Sequence, residues 1–196
     1  MVKNNLNFKS KNMKRIIASS VILLTLSLAS FGQAKFLSRA GHIWFYSKTP
    51  METIEAHNNQ VAAFIDVTKN TIAFEVLNKS FKFERALMEE HFNENYMESA
   101  KFPKATFKGQ FTNIKDINFS KDGVYNAIIE GDMTIHGVTK HITEKGTVEV
   151  AKGKIITKAK FGIKPEDYKI EIPSVVKEKI ANPLEVNVDI TYDPMK

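Results

Sequence analysis

Residues 81–109 read FKFERALMEEHFNENYMESAKFPKATFKG, and this stretch decides the fold. Phe81 and Phe83 share one face of a strand, because alternate residues of a strand point the same way. A second strand begins at Ala105. Pro103 ends the segment before it, since the residue preceding a proline disfavours helical dihedrals. The stretch is therefore predicted to run from strand to helix and back to strand.

The middle of this stretch has a helical period. Met88, Phe92 and Tyr96 recur at every fourth position, which places them on one stripe of a helix. Leu87 and His91 lie beside that stripe. The opposite side is polar and carries Glu89, Glu90, Asn93, Glu94 and Glu98. Such a helix is predicted to lie across a β-sheet as a lid, with its aromatic and methionine side chains facing inward.

Alternating apolar and polar residues predict strands over most of the remaining chain. The clearest are residues 184–192 (LEVNVDITY) and residues 125–135, where Ile128 is the one exception to the pattern. Asn58-Asn59 is predicted to form a turn between two strands, and Ser174 to cap a short helix that ends near Ala181. Further strands are predicted at residues 42–47, 53–57, 60–67, 71–77, 140–150 and 153–161.

The links between these strands are too short for the crossover that parallel pairing requires, so the strands are predicted to be antiparallel. The fold class is all-β: a single domain of about eight strands with a lid helix and a short second helix. Eight antiparallel strands closed into a barrel leave room for side chains or one small ligand. A two-sheet sandwich gives the same strand pattern and is the alternative.

The N-terminus has the three-part plan of a secretory signal peptide. A Lys14-Arg15 pair precedes an apolar run over residues 16–29, and small residues follow near Gly32 and Ala34. A run of fourteen residues is too short to span a bilayer core of about 30 Å as a helix. Residues 1–34 are therefore predicted to be a signal peptide, with Met13 as an alternative start, and residues 35–196 to be the mature domain. The predicted location is the periplasm or the secreted fraction.

Composition excludes several classes of function. The first 34 residues hold five of the 28 basic residues and none of the 22 acidic ones, so the net charge of the remainder is +1 rather than +6. A near-neutral chain without a basic cluster gives no electrostatic reason to expect nucleic acid as a partner. The absence of cysteine rules out disulfides, thiolate metal sites and cysteine nucleophiles.

Two motifs carry a family resemblance. HFNENYMESAKFPKATFKG at residues 91–109 and EGDMTIHGVTK at residues 130–140 together resemble the YceI-like family of periplasmic lipocalin-like barrels. The resemblance implies a lipocalin-like antiparallel barrel with an internal apolar pocket, in which family members hold long isoprenoid or other lipid-like molecules. Residues 35–60 match the family less clearly than the two motifs do.

The stripe on the lid, read with this resemblance, predicts a ligand-binding wall. Unbranched methionine side chains suit a surface that adapts to varied apolar ligands, although such a stripe also occurs in plain cores. His91 is predicted either to hydrogen-bond a strand carbonyl and hold the lid, or to contact a polar ligand head with Asn93 or Tyr96. The predicted ligand-binding residues are Phe81, Phe83, Met88, His91, Phe92, Tyr96, Met97, Phe107, Met133 and Ile135.

No catalytic or metal-binding arrangement is predicted. The five histidines include no pair at helical i, i+4 spacing and no HExxH motif. His136 and His141 flank a glycine turn and are near enough across a hairpin to share a metal ion. That site would need a third ligand, for which Asp132 and Glu144 are the nearest acidic candidates.

The predicted function is therefore that of an exported, non-enzymatic carrier of one long apolar molecule, isoprenoid-like or acyl-like. No cofactor is predicted besides a bound isoprenoid or other lipid. The predicted partner is a hydrophobic small molecule, without nucleic acid or stable membrane insertion, and the oligomeric state stays open. The alternatives are a stress-related interaction protein, an outer-membrane barrel whose apolar side faces lipid, and a lipid-modifying enzyme.

Overall fold

A computed structural model describes residues 34–195 of the 196-residue chain. The predicted signal peptide, residues 1–34, lies outside the described residues except for Ala34. Within that range nine strands form: β1 (Lys35–Lys48), β2 (Thr53–Asp66), β3 (Thr71–Leu77), β4 (Lys82–Phe83), β5 (Lys104–Phe111), β6 (Gly123–Ile135), β7 (Val138–Ala151), β8 (Lys154–Ile163) and β9 (Leu184–Pro194).

The strands close into an antiparallel barrel. β1 pairs with β2 on one side and with β9 on the other, so the ring runs β1-β2-β3-β5-β6-β7-β8-β9. β4 pairs with β2 through Ala56 and Phe83, and continues the line of β3 after the 3₁₀ turn Asn78–Ser80. The barrel of eight strands is confirmed, and the two-sheet sandwich is wrong because a sandwich leaves its edge strands unpaired.

The N-terminal strands are longer than predicted. The first begins at Lys35 rather than at His42. Asn58-Asn59 is not a turn but lies inside β2, where Asn59 and Gln60 form a bulge opposite His42. Asn58 is fully buried, and its side-chain amide donates a hydrogen bond of 2.9 Å to the Leu77 carbonyl oxygen. Asn58 is thus a paired strand residue next to a bulge, and its side chain satisfies a backbone carbonyl group, a role that its turn propensity does not indicate.

The alternation predicted for the last strand is confirmed. Val186, Val188, Ile190 and Tyr192 are buried in the barrel. The intervening residues face outward and form cross-strand ion pairs, such as Lys158 with Asp189 at 3.2 Å. For a strand with one solvent-exposed face and one apolar face, the alternation of residues alone thus predicts which side chains are buried.

The two ends of the barrel differ. At one end the 3₁₀ turn Ile114–Asp116 leads into Ile117, which is buried, and Phe119 packs on Phe111 with a ring-centroid separation of 6.0 Å. At the other end lie the lid and residues 164–183. The predicted helix in that segment is only a 3₁₀ helix, Ser174–Lys179, and Pro173 takes the cap position without a side-chain cap from Ser174. Within residues 34–195, none of the helices has the length and hydropathy that crossing a bilayer requires.

Two glycines allow β5 and β6 to approach closely. Gly109 and Gly131 are paired across the two strands. A Cβ on Gly131 would lie 2.4 Å from Gly109 Cα and 2.4 Å from the Lys108 carbonyl oxygen. These obstacles are backbone atoms, which cannot rotate away as a side chain can, so an added methyl group must displace a strand.

Gly131→Ala is therefore expected to lower the free energy of unfolding by about 3 kcal/mol, the upper part of the range for overpacking. Urea denaturation measures it. Gly123→Ala is the matched control, because its Cβ first meets the Tyr125 hydroxyl at 3.3 Å, and it should stay within about 0.5 kcal/mol of the parent. Equal stability of the two variants would contradict the close approach.

Candidate functional site

A cavity of about 380 Å³ lies inside the barrel toward the lid end. Its wall is largely apolar, and its volume is within the range of about 300–1,000 Å³ typical of small-molecule sites. Residues from all eight strands of the ring contribute, among them Phe45, Ile54, Phe74, Phe107, Ile129, Val148, Phe161 and Val188. Apolar side chains around unfilled space make a site for an apolar guest.

The lid is shorter and less regular than predicted. An α-helix, α1 (Ala86–His91), is followed by a π-helical turn, Phe92–Tyr96. Leu87, beside the stripe, is 60% exposed. Met97 after the π turn is instead buried. π-helical turns often occur at functional sites.

Phe92 joins the lid to the barrel wall. Its ring centroid lies 5.8 Å from that of Phe45, 5.5 Å from Phe81 and 5.1 Å from Phe83. Aromatic rings at these separations attract each other beyond the effect of area burial. The lid is therefore fixed over the cavity by an aromatic cluster made of Phe45, Phe81, Phe83 and Phe92.

Polar contacts hold the lid at both of its ends. At the start, Arg85 pairs with Glu52 from the β1–β2 turn, and Lys82 Nζ lies 2.5 Å from Glu89 Oε1. At the far end, Glu98 Oε2 lies 2.8 Å from His136 Nε2. The first two pairs are solvent-exposed and each contributes little stability, so they orient the lid more than they stabilise it.

All ten predicted ligand-binding residues line the cavity: Phe81, Phe83, Met88, His91, Phe92, Tyr96, Met97, Phe107, Met133 and Ile135. That they contact a ligand stays a prediction. His91 is exposed and, in the described part of the chain, has no hydrogen-bond partner, so the predicted bond to a strand carbonyl is absent. The other prediction, that His91 contacts the polar head of a ligand, is compatible with its position on the lid and stays a prediction.

The two histidines near the β6–β7 turn serve separate networks. His136 contacts Glu98 and the Tyr168 carbonyl oxygen, at 3.2 Å for the latter. His141 lies on the outer wall, where its Nδ1 is 2.9 Å from Asp132 Oδ1. No group of three or more metal-ligating side chains forms among the described residues. The two histidines therefore lie in different surroundings, one half-buried against the lid and the other on the outer wall.

Sequence reasoning missed two parts of the wall. Residues 164–183 cover the cavity with Ile170, Ile172, Val176 and Ile180, but this segment has no regular period to indicate it. Glu144 also lines the cavity. A signal for it was present, since Glu144 is in phase with Ile142 and Val148, which face inward along β7.

Glu144 is a carboxyl group on an apolar wall. Glu144 lies opposite Ile129 in the β6–β7 register and is half-buried, and its carboxyl group has no hydrogen-bond or ion-pair partner within residues 34–195. Burial raises the pKa of this carboxyl group above its ordinary value of 4.5, because desolvation disfavours the charged form. Ionised Glu144 therefore works against folding.

This gives a pH dependence with a defined sign. The folded-state pKa exceeds the unfolded one, so the penalty is absent below pH 4.5 and grows as pH rises through the folded-state pKa. Glu144→Gln is expected to unfold at a higher temperature than the parent at pH 7 and at the same temperature below about pH 4. Thermal unfolding monitored across this range by circular dichroism is the measurement. A Gln variant less stable than the parent at pH 7 would contradict the assignment.

The comparisons with known proteins agree with this geometry. The family model for the YceI-like domain matches residues 32–192. A solved polyisoprenoid-binding domain from Saccharophagus degradans has a TM-score of 0.71 and 15% identity, over 83% of this chain and 99% of that one. BcnA from Burkholderia cenocepacia has a TM-score of 0.57 and 14% identity, over 78% and 94%. The YceI protein of Campylobacter jejuni has a TM-score of 0.52 and 18% identity, over 72% and 84%.

No curated protein matches the chain. At the identities above, the solved structures establish a shared fold. The family model covers most of the chain, including the whole barrel up to Tyr192. The chain belongs to the YceI-like domain family.

Proposed function

We propose that this protein is an exported carrier that holds one long apolar molecule, an isoprenoid or an acyl chain, inside its barrel. The observation that supports this most is the cavity of about 380 Å³ with its apolar wall beneath the lid. The domain from Saccharophagus degradans that shares the fold is itself described as polyisoprenoid-binding. Fold and cavity together favour a guest of this class.

Burial of the ligand's hydrocarbon chain supplies the binding energy. Each methylene removed from water contributes about 0.8 kcal/mol, so eight of them contribute roughly 6 kcal/mol before the costs of association. A ligand with a longer hydrocarbon chain would bind with micromolar affinity or better. The wall needs no directional contacts for this, and the aromatic rings around Phe92 supply a large contact area.

The outer wall favours a water-surrounded barrel over the outer-membrane alternative. Cross-strand ion pairs lie on it, including Lys104 with Glu75 at 2.8 Å and Lys160 with Glu185 at 2.8 Å. A barrel in lipid presents an apolar band outward. Apolar residues here face the cavity instead, which is the orientation that a carrier requires.

Native mass spectrometry tests the carrier. Protein purified without detergent should carry an added mass that organic solvent removes, and delipidated protein should regain mass with farnesol or palmitate. A chain that stays ligand-free with both compounds would overturn the proposal. A barrel filled by its own side chains would give that outcome.

Export is tested separately. We expect residues 1–34 to be removed and the mature chain to be recovered from the periplasmic or secreted fraction, as the plan of the N-terminus implies. Mass measurement of the recovered chain locates the cleavage site. An intact N-terminus in the cytoplasmic fraction would refute export without affecting lipid binding.

A further inference from the structure

Glu144 is a charged residue placed among the inward-facing positions of β7. Ile142, Gly146 and Val148 share its phase, and all of them line the cavity. The residue opposite in the register is Ile129, which also lines the cavity. A carboxyl group in such surroundings is costly unless something hydrogen-bonds it.

The hydrogen-bonded pairing of two wall strands ends beside this residue. Pairing of β7 with β8 runs from Ala151–Lys154 to Gly146–Ala159 and stops there in the described structure, although both strands continue toward the lid. Lys145 and Lys158, which are out of phase with the inward-facing residues, line the cavity as well. The cavity therefore reaches between the strands next to Glu144, and this leaves room there for a polar group of a guest.

Two polar side chains on the strand walls, those of Ser47 and Thr157, are already engaged. Ser47 Oγ accepts a hydrogen bond of 2.7 Å from the Ala181 backbone N–H, and the Thr157 hydroxyl donates to the Tyr192 hydroxyl at 3.3 Å. Asn78, in the turn after β3, donates to the Phe102 carbonyl oxygen, while its Oδ1 is buried and lacks a partner among the described residues. Glu144 and Asn78 Oδ1 are thus hydrogen-bond acceptors on the cavity wall without a partner among the described residues.

We propose that Glu144 recognises the polar end of the guest, and that this end is a hydrogen-bond donor, a hydroxyl or an amine, rather than a phosphate. The proposal rests on the lipid-carrier function and adds the chemical class of the ligand. A carboxyl group accepts a hydrogen bond from a hydroxyl, and its ionised form also pairs with an ammonium group. It repels a phosphate, and the low dielectric of the cavity strengthens that repulsion.

The test uses three probes with one tail and different ends: farnesol, farnesylamine and farnesyl diphosphate. The delipidated full chain is titrated with each, and affinities are measured by calorimetry or native mass spectrometry. The parent should bind farnesol or farnesylamine at least about tenfold more tightly than the diphosphate, the scale of one hydrogen bond to a charged group. Preference between alcohol and amine tells which donor the site favours.

Two variants assign the preference to the residue. Glu144→Leu should weaken farnesol binding about tenfold. Glu144→Gln should bind farnesol with the affinity of the parent and bind the diphosphate more tightly than the parent does. Glu149→Leu is the control, because Glu149 lies on the same strand in the outward phase, and it should bind as the parent does. Circular dichroism checks that each variant is folded.

Two outcomes would overturn the proposal in different ways. If the parent prefers the diphosphate, or if Glu144→Leu binds farnesol unchanged, Glu144 does not recognise the end group, yet the carrier function stands. If no probe binds any variant, the carrier function itself fails.

Discussion

Ala159→Phe is expected to weaken binding of farnesol or palmitate by about 30-fold while the barrel stays folded. Ala159 lies on β8, is half-buried and faces the cavity. A phenyl ring there takes up space that the guest would fill, and crowding of this kind costs about 2 kcal/mol. Calorimetric titration of the delipidated protein gives the affinity, and circular dichroism confirms the fold.

The chain offers a matched control for this substitution. Ala62 lies on β2, is exposed and is out of phase with the buried Val61 and Ala63. Ala62→Phe adds the same ring to the outer wall and should leave the affinity unchanged. Equal loss of binding in the two variants, or unchanged binding in Ala159→Phe, would show that the guest does not occupy the interior.

The second large effect distinguishes the filled end of the barrel from the open one. Ile65 on β2 is fully buried between Phe36 on β1 and Ile72 on β3. Ile65→Ala is expected to lower the free energy of unfolding by about 4 kcal/mol, because it removes packing and leaves a cavity in a dense region. Urea denaturation measures this loss.

Ile129→Ala is the counterpart on the cavity wall. Ile129 is half-buried and already faces empty space on one side, so truncation removes fewer contacts and should cost roughly 1–2 kcal/mol. The effects on ligand binding should have the opposite order: Ile129→Ala should change the affinity for the ligand, and Ile65→Ala should leave it unchanged. Equal destabilisation by the two variants would mean that the barrel is packed uniformly along its length.

Strand alternation predicted the parts of the fold that depend on local period. The last strand and residues 125–135 have one wet face and one apolar face, and a period of two suffices to place their side chains. The cavity lining by Phe107, Met133 and Ile135 follows from the same period once the sheet closes. Closure itself pairs β1 with β9 across almost the whole chain, and local periodicity does not encode it.

Other details depend on context that a residue type alone does not reveal. Asn58 has the propensity of a turn residue, but it lies buried in β2 next to a bulge, where its side chain donates a hydrogen bond to the Leu77 carbonyl oxygen. The π turn after His91, where Phe92 packs against Phe83, has no signal in the helical period of the lid. The period of β7 places Glu144 on the inward face, although the sequence prediction for this residue was only that of an acidic candidate for a metal site.

Crystallography of the protein saturated with farnesol tests most directly whether the interior of the barrel is a lipid site. The account predicts continuous, elongated density inside the cavity, passing beneath Met88 and Phe92, with the hydroxyl end beside Glu144. Density for farnesol only on the outer surface, with side chains closing the cavity, would contradict it.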